Sequence, residues 1–202
     1  MRRTKEDAAL TRETVLDAAL AVFSRQGYAA TTLDHIAQEA GVTRGAIYWH
    51  FGGKAELYNA LLEERFARAF AGMAKLLAEP GTPLQIVRRL LVWQMVLIEE
   101  DAEYRDVMEL TLFKTAVTPD LAEGLKHKVK ATQQMLRQLS KLFRQAVKAG
   151  EVRQKIDSDS AALAALGLTT GLTSLWLLNP SSFSIKARAP EIVDLFLSGM
   201  AN

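Results

Sequence analysis

Apolar residues recur at three- and four-residue steps through nearly the whole chain, and no segment alternates apolar with polar. That period gathers side chains on one face of a helix and cannot line one face of a strand. The expectation is therefore an all-α protein of about nine helices. Val15, Ala18, Ala19, Val22 and Phe23 mark the buried face of a first helix, which Gly27 ends. Thr31 or Thr32 can cap a second with Leu33, Ile36, Ala37 and Ala40 inside, closed by Gly41. Thr43 can cap a third beginning only two residues later. Longer helical patterns follow near 54–77, 84–99, 104–115, 120–149, 158–178 and 190–201, and short loops between such helices imply antiparallel neighbours in a bundle.

Two short helices meeting at a glycine turn behind a supporting helix are the parts of a helix-turn-helix, whose second helix enters a DNA major groove. That helix would be 43–50, opening the stretch TRGAIYWHF of residues 43–51. Successive side chains on a helix point about 100° apart, so Tyr48, Trp49, His50 and Phe51 cannot all be buried on one face. The reading adopted turns Phe51 inward with Ile47 and sets Tyr48, Trp49 and His50 toward a nucleic-acid backbone. Its rival is an aromatic core cluster with a solvated tip. Total charge does not decide between them: 25 Lys+Arg oppose 23 Asp+Glu, and the first sixty residues balance. Placement says more. No carboxylate occurs between Ala40 and Ala55, while Arg44, His50 and Lys54 supply donors. Thr43 and Arg44 stand where they can meet base edges or phosphates, and Gly45 and Ala46 are small enough for close approach to the groove floor. The Tyr48 hydroxyl, His50 and Lys54 can bind phosphate oxygens, together with the open amides of the next helix.

Other function classes find little footing. Cysteine is absent, which excludes disulfides and thiolate metal sites and suits a cytoplasmic protein. The three histidines, His35, His50 and His127, fall in three different helices, and no HExxH, GxSxG or phosphate-loop spacing is present, so neither an enzyme nor a cofactor is expected. An architectural DNA-binding protein would need a broader basic surface. The uncharged segment 160–178 approaches the length of a membrane span. Five Ser or Thr, two Gly, Asp157 and Asp159 ahead of it and Asn179-Pro180 behind it indicate a capped, buried soluble helix instead.

The segment TTLDHIAQEAGVTRGAIYWHFGGKAEL, residues 31–57, resembles the N-terminal signature of the tetracycline-repressor family of bacterial transcription regulators. RRTKEDA at the start and YRDVMELTLFK at 104–114 are similar to the branch of that family that controls multidrug efflux pumps. The resemblance implies a DNA-binding domain over 1–55 and a ligand-binding and dimerisation domain over 56–202. It places Thr32, Thr43, Arg44, Gly45, Tyr48, Trp49, His50 and Lys54 on DNA-contacting positions, with Arg2, Arg3 and Lys5 as an arm reaching phosphates or the minor groove. It also implies a homodimer on palindromic double-stranded operator DNA, released by a small hydrophobic or aromatic effector. A regulator of a metabolic operon is the alternative within the same frame.

Pocket candidates come from helix faces that mix apolar bulk with isolated polar groups. They are Phe66, Phe70, Met73, Trp93, Val96, Leu97, Met108, Leu112, Met135, Leu139, Leu166, Thr169, Thr170 and Trp176. Glu109 joins them as a carboxylate that could select a cation if buried, or pair with a nearby Arg or Lys. The dimer surface is expected on the last two long helices. Gly167 and Gly171 permit close helix approach there, and Ile192, Leu195, Phe196 and Met200 form a stripe.

Overall fold

The computed structural model describes residues 5–116 and 118–202, and these form ten α-helices, one short 3-10 turn and no strand longer than an isolated bridge. The helices are α1 (Lys5–Ala30), α2 (Leu33–Ala40), α3 (Arg44–Phe51), α4 (Lys54–Ala69), α5 (Met73–Ala78), α6 (Pro83–Glu100), α7 (Ala102–Phe113), α8 (Ala122–Lys148), α9 (Ser158–Leu178) and α10 (Ile185–Ser198). The tenth helix arises because the expected 54–77 element is divided at residues 70–72, where Gly72 precedes α5. The last helix starts at Ile185 rather than near 190. Ser184 caps it by accepting the Ala187 amide at 3.1 Å, and Pro190 is carried inside.

Packing divides the chain into two compact units that a single cut does not separate. One comprises residues up to Arg68 together with Glu103–Leu125, and the other Ala69–Ala102 with Lys126–Asn202. The expected boundary between 1–55 and 56–202 is one of task, and this packing does not test it.

In the first unit, Leu16, Phe23, Ile36, Ile47, Leu57, Leu61, Val107 and Leu110 are fully buried in one cluster. Each such side chain contributes roughly 1.5–3 kcal/mol relative to exposure. Phe23, Tyr28 and Tyr58 interlock with ring centroids 4.9–5.7 Å apart. Helix α1 is broken at Gly27, whose φ of 77° is left-handed, and a Cβ there would stand 3.0 Å from the Lys114 carbonyl oxygen. Only glycine lets the chain turn at that point and receive Lys114 so closely. Lys114 also donates to the Ser24 carbonyl at 2.7 Å, and Tyr28 donates its amide to Lys114 at 3.2 Å and its hydroxyl to Asp120 at 2.5 Å. Burial, then the hydrogen bond and charge of Asp120, push the Tyr28 phenol far above its ordinary pKa. It is a proton donor at every working pH.

In the second unit, α6 packs against α9 and α10. Val87, Leu91, Met95 and Ile98 of α6 are buried, as are Ile185, Ala189, Val193 and Leu197 of α10, both at helical spacing. Glu99 accepts the Lys186 amide at 2.7 Å, and Arg88 grips Asp194 with two bonds of 2.6 and 2.9 Å. Helix α9 has the length and composition of a membrane span, yet Asp157 caps it through the Ser160 amide at 2.8 Å. Ala161, Ala162, Ala165, Thr169, Thr173, Trp176 and Leu177 pack its inner side.

Candidate nucleic-acid interface

Caps define the two helices of the motif. Thr32 Oγ1 accepts the His35 amide at 3.2 Å while the His35 ring nitrogen lies 3.4 Å from the Thr32 amide, a capping box closed by histidine rather than glutamate. Gly41 ends α2 at a φ of 64°, and Thr43 Oγ1 then accepts the Ala46 amide at 3.2 Å to start α3. With α1 packed on α2 and α2 on α3, Ile47 is driven fully inside. Its neighbours must then face out. Tyr48 is 45% and Trp49 73% exposed, so Thr43, Arg44, Gly45, Tyr48 and Trp49 share one open face. Ala46 and His50 are half-buried. The His50 ring stands edge-on to Trp49 at 4.5 Å, and Phe51 tucks against the core under the Arg12 guanidinium.

Arg44 is held from two sides. It donates to Asp34 Oδ2 and to the Tyr48 hydroxyl, both at 3.2 Å, and its guanidinium lies 5.4 Å from the Tyr48 ring centroid. These contacts raise its already high pKa, the Tyr48 bond most, then the Asp34 charge. The absence of carboxylates from the stretch 41–54 therefore does not carry over to the folded surface, because α2 delivers one.

Lys54 requires a correction. Its ammonium is half-buried, donates to the carbonyls of Tyr28 at 3.0 Å and Thr31 at 2.9 Å, and stands 4.2 Å from the Tyr28 ring centroid. Those carbonyls follow the break at Gly27, in the short stretch that leads from α1 into α2. Lys54 thus ties the start of α4 to α1 and is not a free phosphate ligand. Lys5 is exposed at the start of α1, and Arg2 and Arg3 lie outside the described residues.

The expected pocket residues are shared between the units. Phe66, Met108, Glu109 and Leu112 belong to the first, all half-buried, with Phe66 edge-on to Tyr104 at 6.2 Å. Phe70, Met73, Trp93, Val96, Leu97, Met135 and Leu166 are half-buried in the second, where Phe70 and Trp93 meet at 5.6 Å. Five of these residues stand differently from a free, ligand-facing group. Glu109 takes the second of its two expected readings: it is partly exposed and paired with a nearby lysine, Lys114, whose Nζ lies at 2.6 Å. Thr170 is exposed, one helical step off the inner row that contains Thr169 and Thr173. Trp176 is buried with its indole N–H donated to the Phe183 carbonyl at 3.0 Å, closing the turn into α10. Thr169 is buried and spends its hydroxyl on the Leu166 carbonyl at 3.0 Å; Leu139 is buried core.

On the expected dimer face, Leu195 is exposed, and Ile192 and Phe196 are half-buried. Met200 is corrected: it is buried, and its carbonyl accepts the Arg153 amide at 3.0 Å beside the Val152–Ala201 bridge. Gly167 and Gly171 are exposed, and beyond the adjoining residues and the backbone of their own helix nothing lies within 4 Å of a Cβ added at either.

One group has no counterpart in the sequence reading. Arg65 of α4 has no exposed side-chain surface, yet it is charged and surrounded by Glu13 at 2.7 Å, Asp17 at 2.6 Å and Glu103 at 2.9 Å. The Glu103 contact is an ion pair rather than an aligned hydrogen bond. Burial pushes the Glu13 carboxyl up, and the hydrogen bonds and charges of Arg68 and Arg65 more than reverse it, leaving its pKa lowered. No local pattern announces this cluster, whose members come from α1, α4 and α7.

The sequence and the fold both have known relatives. Residues 15–61 match the bacterial regulatory proteins of the tetR family, and residues 82–201 match the C-terminal region of MAATS-type transcriptional repressors. The regulator TtgR of Pseudomonas putida is 35% identical over 200 residues, covering 96% of this chain and 93% of that one. The crystal structure of NalD, the secondary repressor of the MexAB-OprM multidrug efflux pump in Pseudomonas aeruginosa, superposes with a TM-score of 0.87 at 26% identity over 98% and 99% of the two chains. SmeT, repressor of a Stenotrophomonas maltophilia multidrug efflux pump, is similar in its triclosan complex with a TM-score of 0.77 at 27% identity over 96% and 92%. The chain is a transcriptional regulator rather than an enzyme, and it belongs to the tetR family of bacterial regulatory proteins.

Proposed function

We propose that this regulator is a cytoplasmic homodimer that represses an efflux-type gene and leaves its operator when a small hydrophobic or aromatic effector binds the helical body. The exposed face of α3, with Thr43, Arg44, Gly45, Tyr48 and Trp49 turned outward, is the observation that carries the DNA-binding part. Dimerisation is supported by an unpartnered apolar stripe on α9. Leu163, Gly167, Gly171, Leu175 and Leu178 recur at helical spacing with the three leucines about 60–70% exposed, and Leu195 stands equally open on α10. A second copy seated there would cover a surface that is costly to leave in water. The paired α3 helices would then enter successive major grooves about 34–36 Å apart. The effector class rests on the half-buried aromatic and methionine faces around Phe70 and Trp93 and on the triclosan bound by SmeT.

The test combines assembly and release. The wild-type chain should run as a dimer in light-scattering chromatography, and Leu163→Glu with Leu195→Glu should run as a helical monomer that no longer binds a palindrome selected by the wild type. Triclosan and a panel of hydrophobic dyes, titrated into the operator complex, should release the DNA. A wild-type monomer would overturn the dimer, and a complex indifferent to the whole panel would overturn the effector class.

A further inference from the structure

We infer that Asp34 is a specificity-setting positioning residue: it holds the Arg44 guanidinium for a two-acceptor base edge and penalises DNA that offers only phosphates. This rests on α3 being the reading helix.

Arg44 opens α3 with its side chain 53% exposed, so it is not fixed by burial in the core. Its orientation comes from polar contacts at its two terminal nitrogens. One donates to Asp34 in the first turn of α2, the other to Tyr48 one turn further along α3. The Tyr48 ring lies against the guanidinium as well. Each terminal nitrogen carries a second N–H. If Asp34 and Tyr48 each take the lateral hydrogen of their nitrogen, the two end-on hydrogens that are left form a parallel pair, which suits the O6 and N7 acceptors of guanine in the major groove.

The location of the carboxylate is what calls for a role. DNA presents one negative charge per about 1.7 Å of axis, so an acid on a face that meets it lowers affinity for every sequence. On arbitrary DNA, Arg44 would serve a phosphate as a point charge, and Asp34 would lose its partner beside further negative charge. On a guanine edge Arg44 need not leave Asp34 at all. The repulsive element therefore acts against the wrong partner and spares the right one. The plain alternative is that Asp34 only favours the N-terminus of α2 through the helix dipole, an effect blind to DNA sequence.

The full-length protein separates these roles. Anisotropy titrations on a wild-type-selected palindrome and on a scrambled duplex of equal length, each across a range of KCl, would be run for wild type, Asp34→Asn and Arg44→Ala. For Asp34→Asn the scrambled duplex should bind more tightly and with a steeper salt dependence. The palindrome-to-scrambled ratio should fall by about fivefold or more, the lower end of what one bidentate base contact discriminates, with the melting temperature little changed. An unchanged ratio, or parallel weakening on both duplexes with a lower melting temperature, would overturn the inference and leave Asp34 a helix-end charge. Arg44→Ala should lose most of the ratio; if it binds the palindrome as wild type does, the assignment of α3 as reading helix fails first, and the role of Asp34 with it.

Discussion

Replacing Arg65 by methionine removes a guanidinium with no solvent-exposed side-chain surface from among three carboxylates, and the outcome can be sized from the contacts. Arg65 and Arg68 together face Glu13, Asp17 and Glu103, so the cluster carries one excess negative charge and would carry two without Arg65. At an effective dielectric of about 20, each close pair is worth roughly 4 kcal/mol gross at 4 Å, and breaking a buried pair costs about 3–5 kcal/mol net. The carboxylates are 30–63% exposed and can rehydrate, which argues for the lower end, about 3 kcal/mol. In a chain of this size that lowers the melting temperature by roughly 6–12 °C. Circular dichroism melts at pH 7 should show it, with Glu103→Gln milder and Asp17→Asn mildest because Asp17 is the most exposed partner. Neutralising all three acids in the Arg65→Met background should recover much of the loss, since it leaves no buried charge and Arg68, about half exposed, can be hydrated. The pH dependence has a definite sign. Glu13 has a lowered pKa in the folded state, so its contribution is present above the ordinary glutamate value near 4.3 and is lost as pH falls through the folded value. Below about pH 4 the wild-type advantage over Arg65→Met should shrink. A melting shift under about 3 °C, or an Asp17→Asn loss equal to that of Arg65→Met, would refute the reasoning.

Two further perturbations probe the joint between α1, α7 and the reading helix. Gly27→Ala places a Cβ 3.0 Å from the Lys114 carbonyl at a φ of 77°, so urea unfolding should show a loss of about 1–3 kcal/mol with an unchanged slope. Lys54→Met should lower stability and operator affinity together, because it leaves the Tyr28 and Thr31 carbonyls without that donor, whereas Tyr48→Ala should weaken the operator complex and leave the melting temperature within a few degrees. Equal melting temperatures for the two variants would mean that the Lys54 contacts carry no weight.

Sequence periodicity reached as far as local geometry does. Ile47 at no exposure beside Trp49 at 73% follows from the roughly 100° step of a helix, and the caps Thr32, Thr43 and Asp157 follow from residue types beside apolar runs. Misplacements began where the partner is distant. Lys54 reads as a spare cation until α1 brings it the carbonyls of Tyr28 and Thr31. Thr170 and Thr169 cannot be told apart by hydropathy in α9, because a helix apolar all round does not announce which side is covered. Asp34 lies outside the carboxylate-free stretch 41–54, though only ten residues from Arg44.

Arg65 shows why such a group escapes the linear text, and what it does there. A buried guanidinium is legible only through its acids, which stand 52 and 48 residues before it on α1 and on α7 after the intervening helices α5 and α6. The first compact unit ends its opening stretch at Arg68 and resumes at Glu103, and those two residues are themselves paired at 3.2 Å. The excursion through 69–102 thus begins and ends at one ionic clasp, with Arg65 beneath it binding the same Glu103 to α1. Closing a loop of that length costs entropy that grows only slowly with its size, so a few well-placed charges suffice to fix its two ends. The helix that carries Arg65 begins at Lys54, two residues after Gly52 ends the reading helix. Through that single helix, α3 is referred to α1 at one end by Lys54 and at the other by Arg65. A mutation that loosens either tie should therefore disturb operator binding without touching a DNA-facing side chain.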